Sequence, residues 1–324
     1  MGLTTTGEVP SGGALKSLIK NYVGRVEALG ASHLLIPQRW WGNSKEIEAS
    51  SLDCLAMTSY IAAQSENLQL VTAIHPGFFE PAAIAKWGAT LSQLTQGRWS
   101  INVTSGWNLS EFSMFGVDAL DHDLRYDRSK EFIDVLKGAW TKPKFSYSGK
   151  YYNVTELVLE PRPFGQLEIF QGGQSTAAIE MACEYSDWMF LNGGSLEKTQ
   201  GIIERVQEVS SGRSVPKFAV YGIPLCRNTD QEAAEEIRSL LVAADPELIA
   251  ARKKRVSGAQ GMWSSEDELS LLDSNEGFST GLIGSPETIL ARVSAFREIG
   301  VEMFHLMLGD KLFEEKVLPD LLGL

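Results

Sequence analysis

Residues 68–107 read LQLVTAIHPGFFEPAAIAKWGATLSQLTQGRWSINVTSGW, and their rhythm decides the fold. Residues 68–74 make an apolar run of strand length that includes the β-branched Val71, Thr72 and Ile74. A turn follows at Pro76-Gly77, and Pro81 then opens a helix that runs to residue 94. Proline suits that position because a first helical turn leaves its N–H groups unbonded anyway. Residues 99–104 form a second buried strand. A strand, a crossing helix and a strand with short connections make the two strands parallel, and a parallel sheet has both faces covered. The second strand ends by delivering Asn102, Thr104, Ser105 and the Trp107 indole to one spot, with Glu111 just beyond. Polar groups at strand ends of this kind serve a ligand more often than a core.

The same rhythm extends in both directions. An amphipathic helix is predicted over 15–29, with Leu15, Leu18, Ile19, Tyr22, Val26 and Leu29 on one face and Gly30 closing it. A strand at 33–36 and a helix at 52–64 follow it. Beyond the central stretch come a helix at 123–139, with Arg125, Arg128 and Lys130 on its polar side, and a hairpin at 145–154. Strands are then expected at 168–171, 188–191, 218–226 and 303–308. Helices are expected at 175–184, 195–210, 230–243, 286–299 and 313–321, and 244–278 reads as a polar, irregular excursion. About seven strands around one core predict an α/β chain of the (β/α)8 TIM-barrel type, a single domain over 1–324. Such a barrel begins with a strand, and residues 1–13 contain none, so the first strand is expected to be missing or altered.

Composition narrows the function. Forty-one acidic against 29 basic side chains give a net charge of −12, which argues against nucleic acid, because phosphate binding needs a basic surface. The run Arg252–Arg255 is read as a solvated helix face. The mean hydropathy is −0.09, no apolar run approaches a membrane span, and no secretory signal is seen. Three widely spaced cysteines (Cys54, Cys183, Cys226) fit reduced thiols in the cytoplasm. The four histidines lack metal-ligand spacing, so no metal is expected. No G-x-G-x-x-G follows the first strand, which weakens a dinucleotide-binding reading, and the lack of G-x-S-x-G speaks against a hydrolase. Gly172-Gly173-Gln174-Ser175 opens a helix, where free N–H groups and the dipole favour a phosphate; a plain glycine turn is the competing reading.

An ordered set of motifs carries a resemblance. They are Gln96-Gly-Arg98, Asn102-Val-Thr-Ser-Gly-Trp107, His122-Asp-Leu-Arg-Tyr126, Pro161-Arg-Pro163, Glu168-Ile-Phe-Gln-Gly-Gly173, Ser186-Asp-Trp188 and Leu282-Ile-Gly284. Over residues 15–321 the chain resembles the bacterial luciferase-like, reduced-flavin-dependent monooxygenases, on the branch of the dimethylsulfone and alkanesulfonate monooxygenases. The resemblance implies an FMN site at the C-terminal mouth of a barrel. It places Asn102 at the flavin ring and Arg39 and Glu111 against the cofactor. Arg125 and Tyr126 would reach its tail, with Gly173 and Ser175 at its phosphate. From the residues themselves, Trp40, Trp41, Phe78, Phe79 and Trp107 are read as walling water off the substrate pocket, with plain packing the competing reading. His75, just past a strand end, is read as an acid or base or else a hydrogen-bonded structural histidine; Tyr221 would face the reacting end.

The resemblance further implies reduced FMN supplied by a separate NAD(P)H-dependent flavin reductase, O2 as co-substrate, a small organic substrate and a homodimer or homotetramer. Sulfonate-cleaving relatives carry an arginine and a histidine where this chain has Tyr221 and Ile223, so a neutral sulfone is expected before an anionic sulfonate. Ala73 stands where the pyrimidine oxygenases have a threonine, which disfavours a uracil substrate. The alternative is a non-catalytic flavin-binding or interaction protein of the same fold.

Overall fold

All five residues of the strand at Trp99–Val103 are buried, and Trp99 anchors it. The Trp99 indole is fully buried, edge-on to Trp87 at 5.4 Å and to Trp140 at 6.2 Å. Its Nε1–H donates to Thr72 Oγ1 at 3.0 Å, and Thr72 in turn shares a 2.9 Å hydrogen bond with Thr58. A polar atom in the core is thereby satisfied without water. Gly88 is required beside the ring, since a Cβ there would lie 2.3 Å from it.

The computed structural model describes residues 10–39, 52–255, 267–273 and 275–323. The chain divides into two compact units, Met1–Phe170 and Gln171–Leu324. The first unit holds α1 (Gly12–Ala28), β1 (His33–Ile36), α2 (Cys54–Ala62), β2 (Gln69–Ile74), α3 (Pro81–Leu94) and β3 (Trp99–Val103). It continues with α4 (Leu109–Met114), α5 (His122–Thr141), β4 (Phe145–Ser148) and β5 (Asn153–Leu157). β1, β2 and β3 pair in parallel, with Leu34 opposite Leu70 and Ala73 opposite Asn102. β4 and β5 form the antiparallel hairpin. β6 (Ile169–Gly172) runs across the boundary of the units.

The second unit repeats the pattern. It contains α6 (Thr176–Tyr185), β7 (Trp188–Leu191), α7 (Leu196–Ser210), β8 (Lys217–Gly222), β9 (Leu225–Cys226) and α8 (Asp230–Ala243). α9 (Pro246–Arg255), β10 (Ile283–Gly284), α10 (Pro286–Glu298), β11 (Val301–Leu306), α11 (Lys311–Lys316) and α12 (Leu318–Leu322) complete it. β7, β8 and β11 pair in parallel. Met189, Leu191, Phe218, Val220 and Phe296 pack into its core with Ile179 and Val206. Helix starts are marked chemically: Ser175, Ser195 and Ser285 each accept an N–H three residues on, and Thr229 with Glu232 forms a reciprocal capping box.

Several expectations need correction. α4 was not anticipated: its six residues are too few to show a period. Within the supposedly irregular 244–278, α9 forms with Pro246 in its first turn and the Asp245 carboxylate accepting the Glu247 N–H at 2.8 Å. The strand predicted at 218–226 breaks into β8 and β9, because Pro224 has no N–H to give and the Ile223 N–H turns to the Gly277 carbonyl. The last helix is two short ones, with Pro319 inside the first turn of α12. Arg125 and Arg128 are 2% and 5% exposed rather than on a polar face. The expectation of a missing first strand falls largely on residues 1–9, outside the described residues; the first described element is α1.

Candidate functional site

In the first unit the loops after β1, β2 and β3 converge. The Gln38 Oε1 accepts the His75 backbone N–H at 2.7 Å, tying the end of β1 to the end of β2. The Thr104 N–H donates to the Ile74 carbonyl at 3.0 Å, which ties β3 into the same place. Arg39 lies 5.8 Å from the centroid of the Trp107 ring, within cation–π range. Phe78 packs on Phe112 at 4.8 Å and stands 6.3 Å from the His75 ring.

Three polar atoms at these strand ends are buried without a hydrogen-bond partner: Asn102 Oδ1, His75 Nδ1 and Gln38 Nε2. Orphans of this kind are rare in native folds and mark a place where something else completes the bonding. Together they offer an acceptor, a donor and an imidazole nitrogen, which suits a heteroaromatic ring with both donors and acceptors on its edge. Burial, with the Arg39 charge adding to it, pulls the His75 pKa down from 6.5 to about 3. The imidazole is therefore neutral at pH 7, available as a hydrogen-bond partner or base and not as a cationic acid.

The residues flanking this cluster are placed as follows. Glu111, in the first turn of α4, is 3% exposed. Arg125 donates to the Leu120 carbonyl at 2.7 Å, and burial lowers its pKa. Tyr126 is buried beside His122, with ring centroids 5.1 Å apart. The Ser105 hydroxyl is spent inside the fold on Ser129 at 2.9 Å, whereas Thr104 and Phe79 are half-buried. Trp40 and Trp41 lie outside the described residues. Gln38 and Asn108 escaped the sequence reading: Asn108 Nδ2 is also buried without a partner. Gln38 had a signal, since it adjoins Arg39 where a strand ends; Asn108 had none.

In the second unit, Gly173 takes a φ of +122°, a backbone conformation open to glycine. It delivers the chain to Ser175, whose side chain accepts the Ala178 N–H as the α6 N-cap. The neighbouring Gln174 is 8% exposed and its Nε2 is buried without a partner. A helix N-terminus with an unanswered amide donor beside it fits a phosphate. Tyr221, on β8, is 8% exposed, 5.2 Å from the His305 ring, and its carbonyl accepts from Thr280 Oγ1. Among the described residues no group of three or more His, Cys, Asp or Glu side chains could hold a metal, and no helix is long and apolar enough to cross a membrane.

The chain is 35% identical over 308 residues to an FMNH2-dependent dimethylsulfone monooxygenase of Pseudomonas fluorescens (strain Pf0-1), covering 90% of this chain and 84% of the relative. A protein of the same description from Pseudomonas putida is 37% identical, covering 82% of this chain and 75% of the relative. The crystal structure of DmoA from Hyphomicrobium sulfonivorans superposes with a TM-score of 0.76 at 21% identity, over 98% of this chain and 85% of that one. Residues 4–303 match the luciferase-like monooxygenase family, and the chain belongs to it.

Proposed function

We propose that the protein is the oxygenase of a two-component, FMNH2-dependent monooxygenase that acts on a small organosulfur compound, with a sulfone favoured over a sulfonate. The observation that carries this reading is the relationship to dimethylsulfone monooxygenases at 35% and 37% identity across most of the chain. The unpartnered atoms of Gln38, His75 and Asn102 in the first unit fit a flavin ring, and that of Gln174 in the second fits a phosphate. When bound, reduced FMN supplies the electrons with which O2 is activated. In the first unit, Asn102, Gln38 and His75 would hydrogen-bond the ring edge, with Arg39, Glu111, Arg125 and Tyr126 as further contacts. In the second, Gly173, Gln174 and Ser175 would hold a phosphate at the start of α6. Trp107 and Phe78, with Trp40 and Trp41, would keep water from the reacting end, where neutral His75 can accept a proton. Tyr221 would offer a hydroxyl to substrate.

The absence of a cation at Tyr221 and Ile223 supports a neutral substrate, since an anion would lack a counter-charge there. An NAD(P)H-dependent flavin reductase is the expected partner, in the cytoplasm, and a homodimer or homotetramer is the expected assembly. The family match runs through both units, which supports reading 1–324 as one luciferase-like domain. The test is the purified protein with FMN, NADH, a generic flavin reductase and air, on a panel of sulfones and sulfonates. Oxygenated product from a sulfone is expected. Tight FMN binding without turnover on any substrate would favour a non-catalytic flavin-binding protein, and failure to bind FMN in either redox state would sink both.

A further inference from the structure

Arg128 is a buried cation without an ion-paired carboxylate among the described residues. It lies on α5, three residues after Arg125, and is 5% exposed. Its Nη1 donates to the Asp118 carbonyl at 3.4 Å, while Nε and Nη2 are buried without a hydrogen-bond partner. Among the described residues no carboxylate forms an ion pair with it. The guanidinium is packed tightly: a Cβ on Gly77 would come within 2.5 Å of Cζ, and the Phe112 ring centroid is 5.5 Å away. Burial lowers its pKa, yet an arginine keeps its proton in proteins. A full charge withdrawn from water, with the Asp118 carboxylate acting on it only at a distance and no ion pair formed, carries a large desolvation penalty.

Two buried phenols are close by. The Tyr151 hydroxyl is buried without a partner, the Tyr152 hydroxyl is buried against the Gly77 backbone, and both phenols lie within electrostatic reach of the guanidinium. Burial, opposed by the Arg128 charge, pushes the Tyr152 pKa up to about 12, so it is a hydroxyl and a donor at neutral pH. Their backbone is pinned by Glu131, whose carboxylate accepts the N–H groups of Lys150, Tyr151 and Tyr152 at 2.8, 2.8 and 3.1 Å. The cluster thus offers donors and a fixed positive charge. Its unpartnered edge, Nε with Nη2, is the side of the guanidinium that pairs with two oxygens of one oxyanion.

From this arrangement we infer that Arg128, Tyr151 and Tyr152 form a binding subsite for a small oxyanion, held side-on by Arg128 Nε and Nη2 with the phenols donating to its oxygens. The ligand class is a carboxylate or an oxyanion of sulfur. None of these three residues belongs to the groups assigned to flavin or substrate, so the inference stands apart from the proposed function.

The test uses the full chain without flavin. Thermal melts and calorimetric titrations with sodium acetate, methanesulfonate and sulfate are compared with sodium chloride at matched ionic strength. At least one oxyanion is expected to raise the melting temperature saturably in the wild type, the three probes deciding between carboxylate and sulfur oxyanion. Arg128→Met should abolish that response and melt no lower than wild type in chloride, because it removes an uncompensated buried charge. Arg128→Lys, which keeps the charge and loses the fork, should bind at least tenfold more weakly, and Tyr152→Phe at least threefold. Wild type and Arg128→Met responding alike to every anion would overturn the inference. Should Arg128→Met fail to fold, unchanged anion affinity in both Arg128→Lys and Tyr152→Phe overturns it equally.

Discussion

Replacing Asn102 by leucine should make the flavin-free protein more stable and impair its flavin binding. Asn102 is 6% exposed on a strand whose five residues are all buried, and its carbonyl oxygen has no partner. A buried acceptor left unsatisfied costs about 1–3 kcal/mol relative to an apolar group of similar shape. Leucine shares the branched skeleton of asparagine, and its bulkier methyl groups cost up to about 1.5 kcal/mol in repacking. The balance is a net gain of about 1 kcal/mol in the apo protein. Flavin affinity should move the other way, by about tenfold for each 1.4 kcal/mol of lost hydrogen bonding.

Both halves are measurable on one preparation. Urea unfolding of the apo protein reads the midpoint at constant m-value, and quenching of flavin fluorescence reads the dissociation constant. A variant destabilised by about 1 kcal/mol or more with unchanged flavin affinity would refute the reasoning. Asn102 would then hold its strand end together, and its unpartnered oxygen would owe nothing to a ligand. A gain in stability with loss of binding is the signature of a residue kept for function.

Ser175 separates capping from phosphate binding. Ser175→Ala should cost about 1 kcal/mol of stability through the lost cap, whereas Ser175→Asp should keep the cap and weaken FMN binding at least tenfold by charge repulsion; equal FMN affinity in Ser175→Asp and wild type would remove Ser175 from the phosphate site. Gly88→Ala sets a helix-propensity gain of about 1 kcal/mol against overpacking on Trp99, which costs about 1–3 kcal/mol, so a lower unfolding midpoint is expected. His75 gives the pH dependence: its pKa falls from 6.5 to about 3 on folding, so the unfolded chain takes up a proton first as pH drops. Its stabilising contribution is whole above pH 6.5 and drains away towards pH 3, at up to about 1.4 kcal/mol per pH unit. His75→Gln should flatten that part of the stability–pH curve by about one proton, and an unchanged slope would show His75 titrating as an exposed histidine does.

Elements with a local signature were readable in the sequence. Pro81 set the start of α3, Ser175 and Thr229 set those of α6 and α8, and the apolar runs at 33–36 and 188–191 became β1 and β7 without revision. What failed depended on partners distant in sequence. Nothing near residue 223 reveals that its N–H bonds Gly277, so the end of β8 was misplaced. Charge alone put Arg128 on a solvated face, when the space against Gly77 and Phe112 buries it. The candidate site shows the same division. Asn102, Ser175 and His75 were visible because strand ends and helix starts are visible, while Gln38 matters through its bond to His75, 37 residues away in the chain and outside any local sequence rule.

The indole stack at the root of β3 gives the protein a built-in optical gauge. Trp99 is sealed from solvent, bonded to Thr72 through its N–H and flanked edge-on by Trp87 and Trp140. An indole so enclosed emits at shorter wavelength than one in water, and Asn102 lies three residues along the same strand. A flavin drawn to Asn102 would overlap that emission and quench it by energy transfer. Light from the core of the first unit would then report, with no label attached, when the strand end beyond it is filled.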